Sequence, residues 1–288
     1  MKILMTGASG FVGRHLMGLL QDSPHEIYHL TRRKTGMARE IIWDFAGPLP
    51  VELALCDIVI HLAASIHFSP EIDTSLYAVN TVSAARLARY CSETGACIIF
   101  ASTINIHGKQ SIISNQSSFA PLNHYALSKY LAEQMILTLV PNPIILRISG
   151  IYGLNGPPYL GLNTSLGEAF YHEKPPTLIG PGRAKRNYIC VKDVARWIFH
   201  LVAEEMRAGG NAVSGAGSRI LYLAGPEILS IKEYLRHIVD TLIPGKELTI
   251  LDGPPIQDCI VEPSCAPFAM TTYPDYLKSL KIDRRSRS

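Results

Sequence analysis

Apolar and polar positions follow two rhythms along the first half of the chain. Short β-branched runs at Lys2–Met5, Glu26–Leu30, Asp57–Leu62, Cys97–Ala101 and Ile144–Ile148 read as strands buried on both faces. Between several of them, Phe11–Leu20, Asn80–Glu93 and His124–Thr138 carry apolar residues at helical spacing. Strands and helices in alternation predict an α/β fold, a Rossmann-type doubly wound parallel sheet with right-handed crossovers. The rhythm changes near Gly153. Leu154–Pro181 is rich in Gly, Pro and Asn, with one helix-like patch near Ser165–Tyr171. Tyr188–Val191 and Asp193–Val202 then predict a strand and a helix that rejoin the core, and Ile220–Leu223 a further strand. Ser230 is placed to cap a helix running to about Leu242. The proline-rich stretch Pro254–Ser288, ending in KIDRRSRS, reads as closing in a frayed tail. The expected organisation is a nucleotide domain over 1–153, joined by about 186–203, with a small C-terminal substrate lobe made from 154–185 and 204–288.

With 288 residues, 47% of them hydrophobic, the chain can bury one sizeable core or a large domain with a smaller lobe. Its 27 basic and 24 acidic residues leave a net charge of +3, too even to argue for nucleic acid or an anionic membrane as partner. Cys56, Cys91, Cys97, Cys190, Cys259 and Cys265 form no CxxC pair and no metal-ligand spacing. They read as reduced, mostly buried thiols, which fits a cytoplasmic protein. The first-half histidines show no HExxH spacing, so no metal site is expected. The apolar run after Met1 is too short for a signal peptide, and no uninterrupted apolar stretch approaches the roughly 20 residues that span a bilayer.

The chemistry begins at Thr6–Gly13, TGASGFVG, between the first strand and the first helix. Gly7 suits the tight turn, Gly10 lets a pyrophosphate approach the backbone, and Gly13 lets helix and strand pack closely. The backbone of Ser9, Phe11 and Val12 completes a helix N-terminus whose free N–H groups favour phosphate. After the second strand comes Arg32-Arg33-Lys34, where an NAD site usually carries an acidic residue for the ribose 2′-hydroxyl. Three cations suit a 2′-phosphate instead, so NADP(H) is favoured over NAD(H); a merely solvated loop is the alternative. Asp44, after Ile41-Ile42-Trp43, faces either an adenine amino group or a turn.

Tyr125 and Lys129 stand four apart, hence on one face of a helix. A neighbouring cation stabilises a phenolate and makes Tyr125 usable as a general acid/base; a surface pair with no partnership is the plain alternative. Two features favour the first reading. Ser102 and Thr103 end the fourth apolar run, and ligands bind outside strand C-termini in such sheets. The helix carrying Tyr125 begins at the same rim.

In these motifs the chain resembles the extended short-chain dehydrogenases, the NAD-dependent epimerase/dehydratase family. The resemblance runs through TGASGFVG, DIVIHLAA (Asp57–Ala64), FASTINIHG (Phe100–Gly108), YALSK (Tyr125–Lys129), ILRISGIYG (Ile145–Gly153) and RNYICVKDVA (Arg186–Ala195). It implies Tyr125 as acid/base and Lys129 as the residue that lowers its pKa and holds the nicotinamide ribose. It implies Thr103 as the hydroxyl on the substrate oxygen, with Ser102 in reserve. Leu62, Ala63 and Ala64 would line the cofactor, and Arg186 would hold a nucleotide-sugar phosphate. Asp193 reads as structural. The chain departs from the family at Ile104-Asn105, which lack the acids of sugar dehydratases. It also departs at Gly150, where many nucleotide-sugar epimerases have Asn.

The resemblance implies an oxidoreductase or epimerase acting on a nucleoside-diphosphate 4-keto sugar. A reductase of a non-nucleotide ketone or aldehyde is the alternative, and a non-catalytic NADP(H) sensor a third. His67 and His107 are candidate substrate contacts, and Tyr159, Asn163 and Tyr171 candidate pocket residues. His61 reads as a satisfied core or rim histidine, and Asn80 as a helix cap. A homodimer through the Asn80–Glu93 and His124–Thr138 helices is an expectation from relatives.

Overall fold

The computed structural model describes residues 1–207 and 219–285. The chain opens with β1 (Lys2–Thr6), α1 (Phe11–Leu20), β2 (Glu26–Thr31), β3 (Glu40–Ile42) and β4 (Ile58–His61). It continues with α2 (Thr74–Tyr77), a π-helical turn (Ala78–Val82), α3 (Ser83–Thr94) and β5 (Cys97–Thr103). A 3-10 turn (Ile104–His107) leads to β6 (Ile112–Ile113), α4 (His124–Leu139), β7 (Ile144–Ile148) and β8 (Ile151–Tyr152). Then come α5 (Gly161–His172), β9 (Thr177–Ile179), β10 (Lys185–Arg186), β11 (Ile189–Cys190), α6 (Val191–Arg207) and β12 (Arg219–Leu223). The chain closes with β13 (Leu229–Ser230), α7 (Ile231–Leu242), β14 (Thr249–Leu251), β15 (Ile260–Val261) and α8 (Tyr273–Arg285).

Seven strands form the main sheet in the order β12-β7-β5-β4-β1-β2-β3. β1 pairs in parallel with both β2 and β4, and β4 with β5. The chain runs outward through β2 and β3 and then returns to β4 beside β1. The gap between β1 and β4 is therefore the topological switch point, the crevice where doubly wound sheets take ligands. The strands are near-continuous apolar runs because helices cover both faces; Ile3, Leu4, Met5, Ile58, Val59 and Ile60 are all fully buried.

The chain separates into two compact units: 1–108, 118–147 and 195–221 in the first; 109–117, 148–194 and 222–288 in the second. The first unit thus takes in most of α6 and the start of β12. The core of the second gathers Leu162, Leu166 and Phe170 of α5, Leu235 and Ile238 of α7, and Leu277 and Leu280 of α8. Ser230 caps α7 as its sequence predicts: its hydroxyl accepts from the Glu233 amide at 3.2 Å, and the Glu233 carboxylate accepts from the Ser230 amide at 2.7 Å.

Two sequence expectations are corrected here. The frayed tail is for the most part α8, because Tyr276, Leu277 and Leu280 recur at helical spacing and are buried; residues 286–288 lie outside the described residues. Asn80 is no cap: it sits fully buried inside the π-helical turn. Asp193 does have the structural role expected, its carboxylate accepting from the Thr271 amide at 2.7 Å and the Thr271 hydroxyl at 3.0 Å. No helix among the described residues is long and apolar enough to cross a membrane.

Candidate active site

The glycine turn has the geometry a dinucleotide phosphate needs. Gly7 has φ +75°, and a Cβ there would meet the Ala63 amide nitrogen at 2.7 Å. A Cβ on Gly13 would strike the Gly7 carbonyl oxygen at 2.1 Å, so only glycine lets α1 start so close to the turn. Gly10 is exposed and caps α1 with no side-chain hydrogen bond, leaving the first helical N–H groups facing outward. The turn abuts Leu62 and Ala63 at the end of β4, which puts both sequence motifs on the switch-point crevice.

A hydrogen-bonded relay fixes this crevice from below. The Ala63 amide donates to Thr6 Oγ1 at 3.1 Å, and the Thr6 hydroxyl donates to His61 Nδ1 at 2.7 Å. His61 Nε2 then donates to Ser83 Oγ at 3.2 Å, and Ser83 donates to the Val79 carbonyl at 2.5 Å. Every polar atom has a partner only if His61 is neutral. Burial, reinforced by the Lys129 charge, accordingly pulls its pKa down to about 3.

Asn80 ties the loop after β4 to α4. Its Oδ1 accepts from the Ser65 amide at 2.8 Å, and its Nδ2 donates to the Ser65 carbonyl and to Ser128 Oγ, both at 2.9 Å. The Ser128 hydroxyl donates to the Tyr125 carbonyl at 2.8 Å, and the Thr81 hydroxyl to the Ser128 carbonyl at 2.9 Å. α4 starts sharply because Asn123 caps it, accepting from the Ala126 amide at 2.8 Å. His124 Nε2 donates to the Pro70 carbonyl at 3.2 Å, while Nδ1 accepts from the Tyr77 hydroxyl at 2.8 Å.

Tyr125 and Lys129 sit one turn apart on α4, both buried, and α4 packs on β5 and on the 3-10 turn that Thr103 caps. The Lys129 ammonium lies 4.1 Å from the centre of the Phe100 ring, on β5, with His61 on the ring's other neighbour strand. Burial pulls the Lys129 pKa down to about 7, partly opposed by the Glu133 carboxylate. Glu133, two turns along from Tyr125, is fully buried and paired with Arg147 of β7 through Nη2 at 2.7 Å and Nε at 3.2 Å. The Arg147 guanidinium also stands 4.9 Å over the Phe119 ring.

The structure resolves several expectations about individual residues. Ser102 donates its hydroxyl to Glu133, so it belongs to the floor of α4 rather than to the reacting group. Thr103 ends β5 and its Oγ1 accepts from the Asn105 amide at 3.2 Å. Asp44 takes the turn role, accepting from the Ala46 and Gly47 amides at 3.0 and 2.7 Å. His107 is no substrate contact: it is fully buried, donates from Nδ1 to the Ser118 carbonyl at 2.9 Å and stacks on Phe119. His67 is half-exposed and paired with Asp73 at 2.9 Å, and its neighbour Phe68 packs edge to face on Tyr125, ring centres 5.9 Å apart. Arg32, Arg33 and Lys34 are exposed, just past the end of β2.

In the second unit, Arg186 is partly buried on β10, its Nη1 donating to the Lys185 carbonyl at 2.7 Å. Asn163 is a buried hub, not a lining residue: its amide joins the Gly153 amide and the Ile151 carbonyl at 3.0 and 3.1 Å. Tyr171 donates to Asn155 Oδ1 at 3.0 Å. At Gly150 a Cβ would meet the Tyr188 ring at 2.4 Å, so the tyrosine fills the space an asparagine side chain would enter.

Sequence reasoning missed Glu133 and Arg147. Two signals could have found them. Glu133 extends the Tyr125–Lys129 spacing by another four residues, and a lone arginine within the apolar run IILRI demands a buried carboxylate.

Known proteins resemble this chain in sequence and in fold. An uncharacterized UDP-glucose epimerase of Bacillus subtilis (strain 168) is 28% identical over 262 residues, covering 73% of this chain and 77% of its own. The GDP-6-deoxy-D-talose 4-dehydrogenase of Aggregatibacter actinomycetemcomitans is 27% identical over 216 residues, covering 71% of each. The crystal structure of UDP-N-acetylglucosamine 4-epimerase from Bacillus cereus superposes with a TM-score of 0.80 at 21% identity, over 99% of this chain and 96% of that one; it shares the fold. The sequence profile of the NAD dependent epimerase/dehydratase family matches residues 3–214, well over half of the chain. This protein therefore belongs to the NAD dependent epimerase/dehydratase family and is an NAD(P)-dependent enzyme of the oxidoreductase and epimerase kind.

Proposed function

We propose that this enzyme reduces or epimerises a nucleoside-diphosphate 4-keto sugar, with NADP(H) as the nicotinamide cofactor. The observation that carries the reading is the stack of Tyr125, Lys129 and Glu133 on one face of α4, with the lysine buried against Phe100 beside the switch-point crevice. A bound nicotinamide dinucleotide supplies or takes up the hydride. Tyr125 moves the proton on the substrate oxygen. Lys129, charged, stabilises the Tyr125 phenolate, and Thr103 orients the same oxygen. Glu133 favours the charged form of Lys129 against the cost of its burial. Gly7, Gly10 and Gly13 leave room for the cofactor's phosphates, with Ser9, Phe11 and Val12 contributing backbone amides. Arg32 and Arg33 hold the 2′-phosphate, and Leu62, Ala63 and Ala64 line the nicotinamide side. On the substrate side, Arg186 pairs with the diphosphate.

The names of the relatives support a nucleotide sugar, since both are said to act on one. A second reading, a reductase of a non-nucleotide ketone or aldehyde, draws on the Tyr188 ring that occupies the place of the family's asparagine. Product inhibition separates the two: uridine, guanosine or thymidine diphosphate competes with the substrate of a nucleotide-sugar enzyme and leaves the other reductase unaffected.

The catalytic assignment predicts that Tyr125→Phe lowers turnover by about 10²–10⁴-fold while a fluorescence titration gives unchanged NADPH binding. Turnover within a few fold of the wild type would remove Tyr125 from the role. The cofactor assignment predicts that Arg32→Ala with Arg33→Ala weakens NADPH by about tenfold or more, from the loss of charge-assisted hydrogen bonds, and barely changes NADH. Equal losses for both would move the enzyme to NAD(H) and to epimerisation with a retained cofactor.

A further inference from the structure

A cleft of about 390 Å³ lies on the first unit, and no residue of the glycine turn, the Leu62–Ala64 run or the Tyr125–Lys129 face lines it. That volume falls in the range of small-molecule sites. One wall is apolar, from Pro48, Leu49 and Leu53 on the connection between β3 and β4. The other is the outer face of α3, with Arg86, Arg89 and Glu93.

The charges of this second wall are unequal in their commitments. Arg89 is paired with Glu93 at 2.8 Å. The hydroxyl of Tyr90, also in the lining, is spent: it donates to the Ala54 carbonyl and accepts from the Cys56 amide, both at 2.9 Å. Arg86 has no such partner. Its Nη1 is buried without any hydrogen bond. Asp44, whose carboxylate feels the Arg86 charge, is taken up by the Gly47 and Ala46 amides of its own turn. A buried guanidinium donor left unpaired costs free energy, and a guanidinium fork matches a carboxylate in geometry. Arg86 and Arg89 against Glu93 leave one net positive charge in the lining itself, with the Asp44 carboxylate near Arg86, which leaves room for one negative charge at most and disfavours a doubly charged phosphate.

We infer that this cleft is a second ligand site, for a small monocarboxylate with an apolar body, held by Arg86 through its carboxylate and by Leu49 and Leu53 through its apolar part. The site is independent of the catalytic reading given above.

The test is ligand-observed NMR on the full chain. The probes are benzoate, 4-phenylbutyrate and isovalerate, their amides, and inorganic phosphate. At least one carboxylate binds, its amide binds about tenfold more weakly or not at all, and phosphate does not displace it. Arg86→Gln removes that binding, and Arg86→Lys, which keeps the charge but loses the fork, weakens it. Neither variant lowers the thermal unfolding midpoint or alters NADPH titration, because Arg86 Nη1 makes no hydrogen bond for the substitution to remove. The inference falls if no carboxylate binds, if acid and amide bind equally, or if binding survives Arg86→Gln. It falls equally if phosphate competes as well as the carboxylates, or if NADPH displaces the bound carboxylate.

Discussion

Around the crevice of the first unit, buried polar groups carry charge or are linked end to end. Glu133, Arg147 and Ser102 form a closed set beneath α4, and His61 is gripped between Thr6 and Ser83. In the second unit the largest fully buried side chains are phenols, beside the buried Ser149, Asn163, Asn187 and Asp193. Tyr152, Tyr234, Tyr273 and Tyr276 pack edge to face with ring centres 4.9 to 5.3 Å apart. Some phenol oxygens work as backbone clips: Tyr276 accepts from the Leu154 amide at 2.7 Å and Tyr234 from the Tyr188 amide at 3.1 Å. Tyr273 has no partner at all for its buried hydroxyl. The difference follows from use. A buried charge is costly: Glu133 favours the charged form of Lys129, whereas Asp193 is held by the two hydrogen bonds it accepts from Thr271. A cluster of edge-to-face rings supplies area and shape without fixing any protonation state.

That contrast can be broken first at its strongest point. Arg147→Met leaves the buried Glu133 carboxylate without its counter-ion, with only the Ser102 hydroxyl donating to it, and should cost about 3–5 kcal/mol in urea unfolding. Adding Glu133→Gln should recover most of the loss. A single variant that costs less than about 1 kcal/mol would show that the buried pair is no more demanding than a surface one.

The next effect is a pH dependence. His61 is held neutral in the fold, with a pKa near 3 against an ordinary 6.5. The unfolded chain therefore binds a proton here that the folded chain refuses. This contribution to stability is complete above pH 6.5 and is lost as the pH falls toward 3. Between pH 7 and pH 5 the wild type should lose about 2 kcal/mol more than His61→Gln, which does not titrate. Parallel pH profiles for the two proteins would mean that His61 takes up its proton without unfolding the relay.

The smallest effect belongs to the second unit. Tyr273→Phe removes an unpartnered buried hydroxyl and should stabilise the protein by about 1 kcal/mol, or leave it unchanged. A loss of more than about 1 kcal/mol would mean that the phenol is hydrogen-bonded in solution, and that the tyrosine cluster is as polar in its demands as the first unit.

Much of this was legible in the sequence, and the reason differs from element to element. The strands and helices of the sheet could be read because burial on both faces forces long apolar runs, and helix burial forces a 3.6-residue rhythm. α1 and β7 run over the ranges that their patterns predict. The glycine turn was legible because only glycine tolerates a Gly13 Cβ position 2.1 Å from a carbonyl oxygen, and the capping box at Ser230 because it is entirely local. What depended on distant partners was hidden. His107 looks like a cleft residue until Phe119 and Ser118 fold over it. Asn80 looks like a cap until Ser65 and Ser128 converge on its amide. Glu133 and Arg147 are separated by 14 residues and a change of element, and become a pair only when α4 lies against the sheet. The sequence by itself determined the periodicities, the caps and the tight glycine turn, because each is settled within a few residues by sterics and hydrogen bonding. The tertiary structure decided which polar side chains are buried and what they pair with, because desolvation and electrostatics act through space and depend on groups that the chain brings together only when it folds.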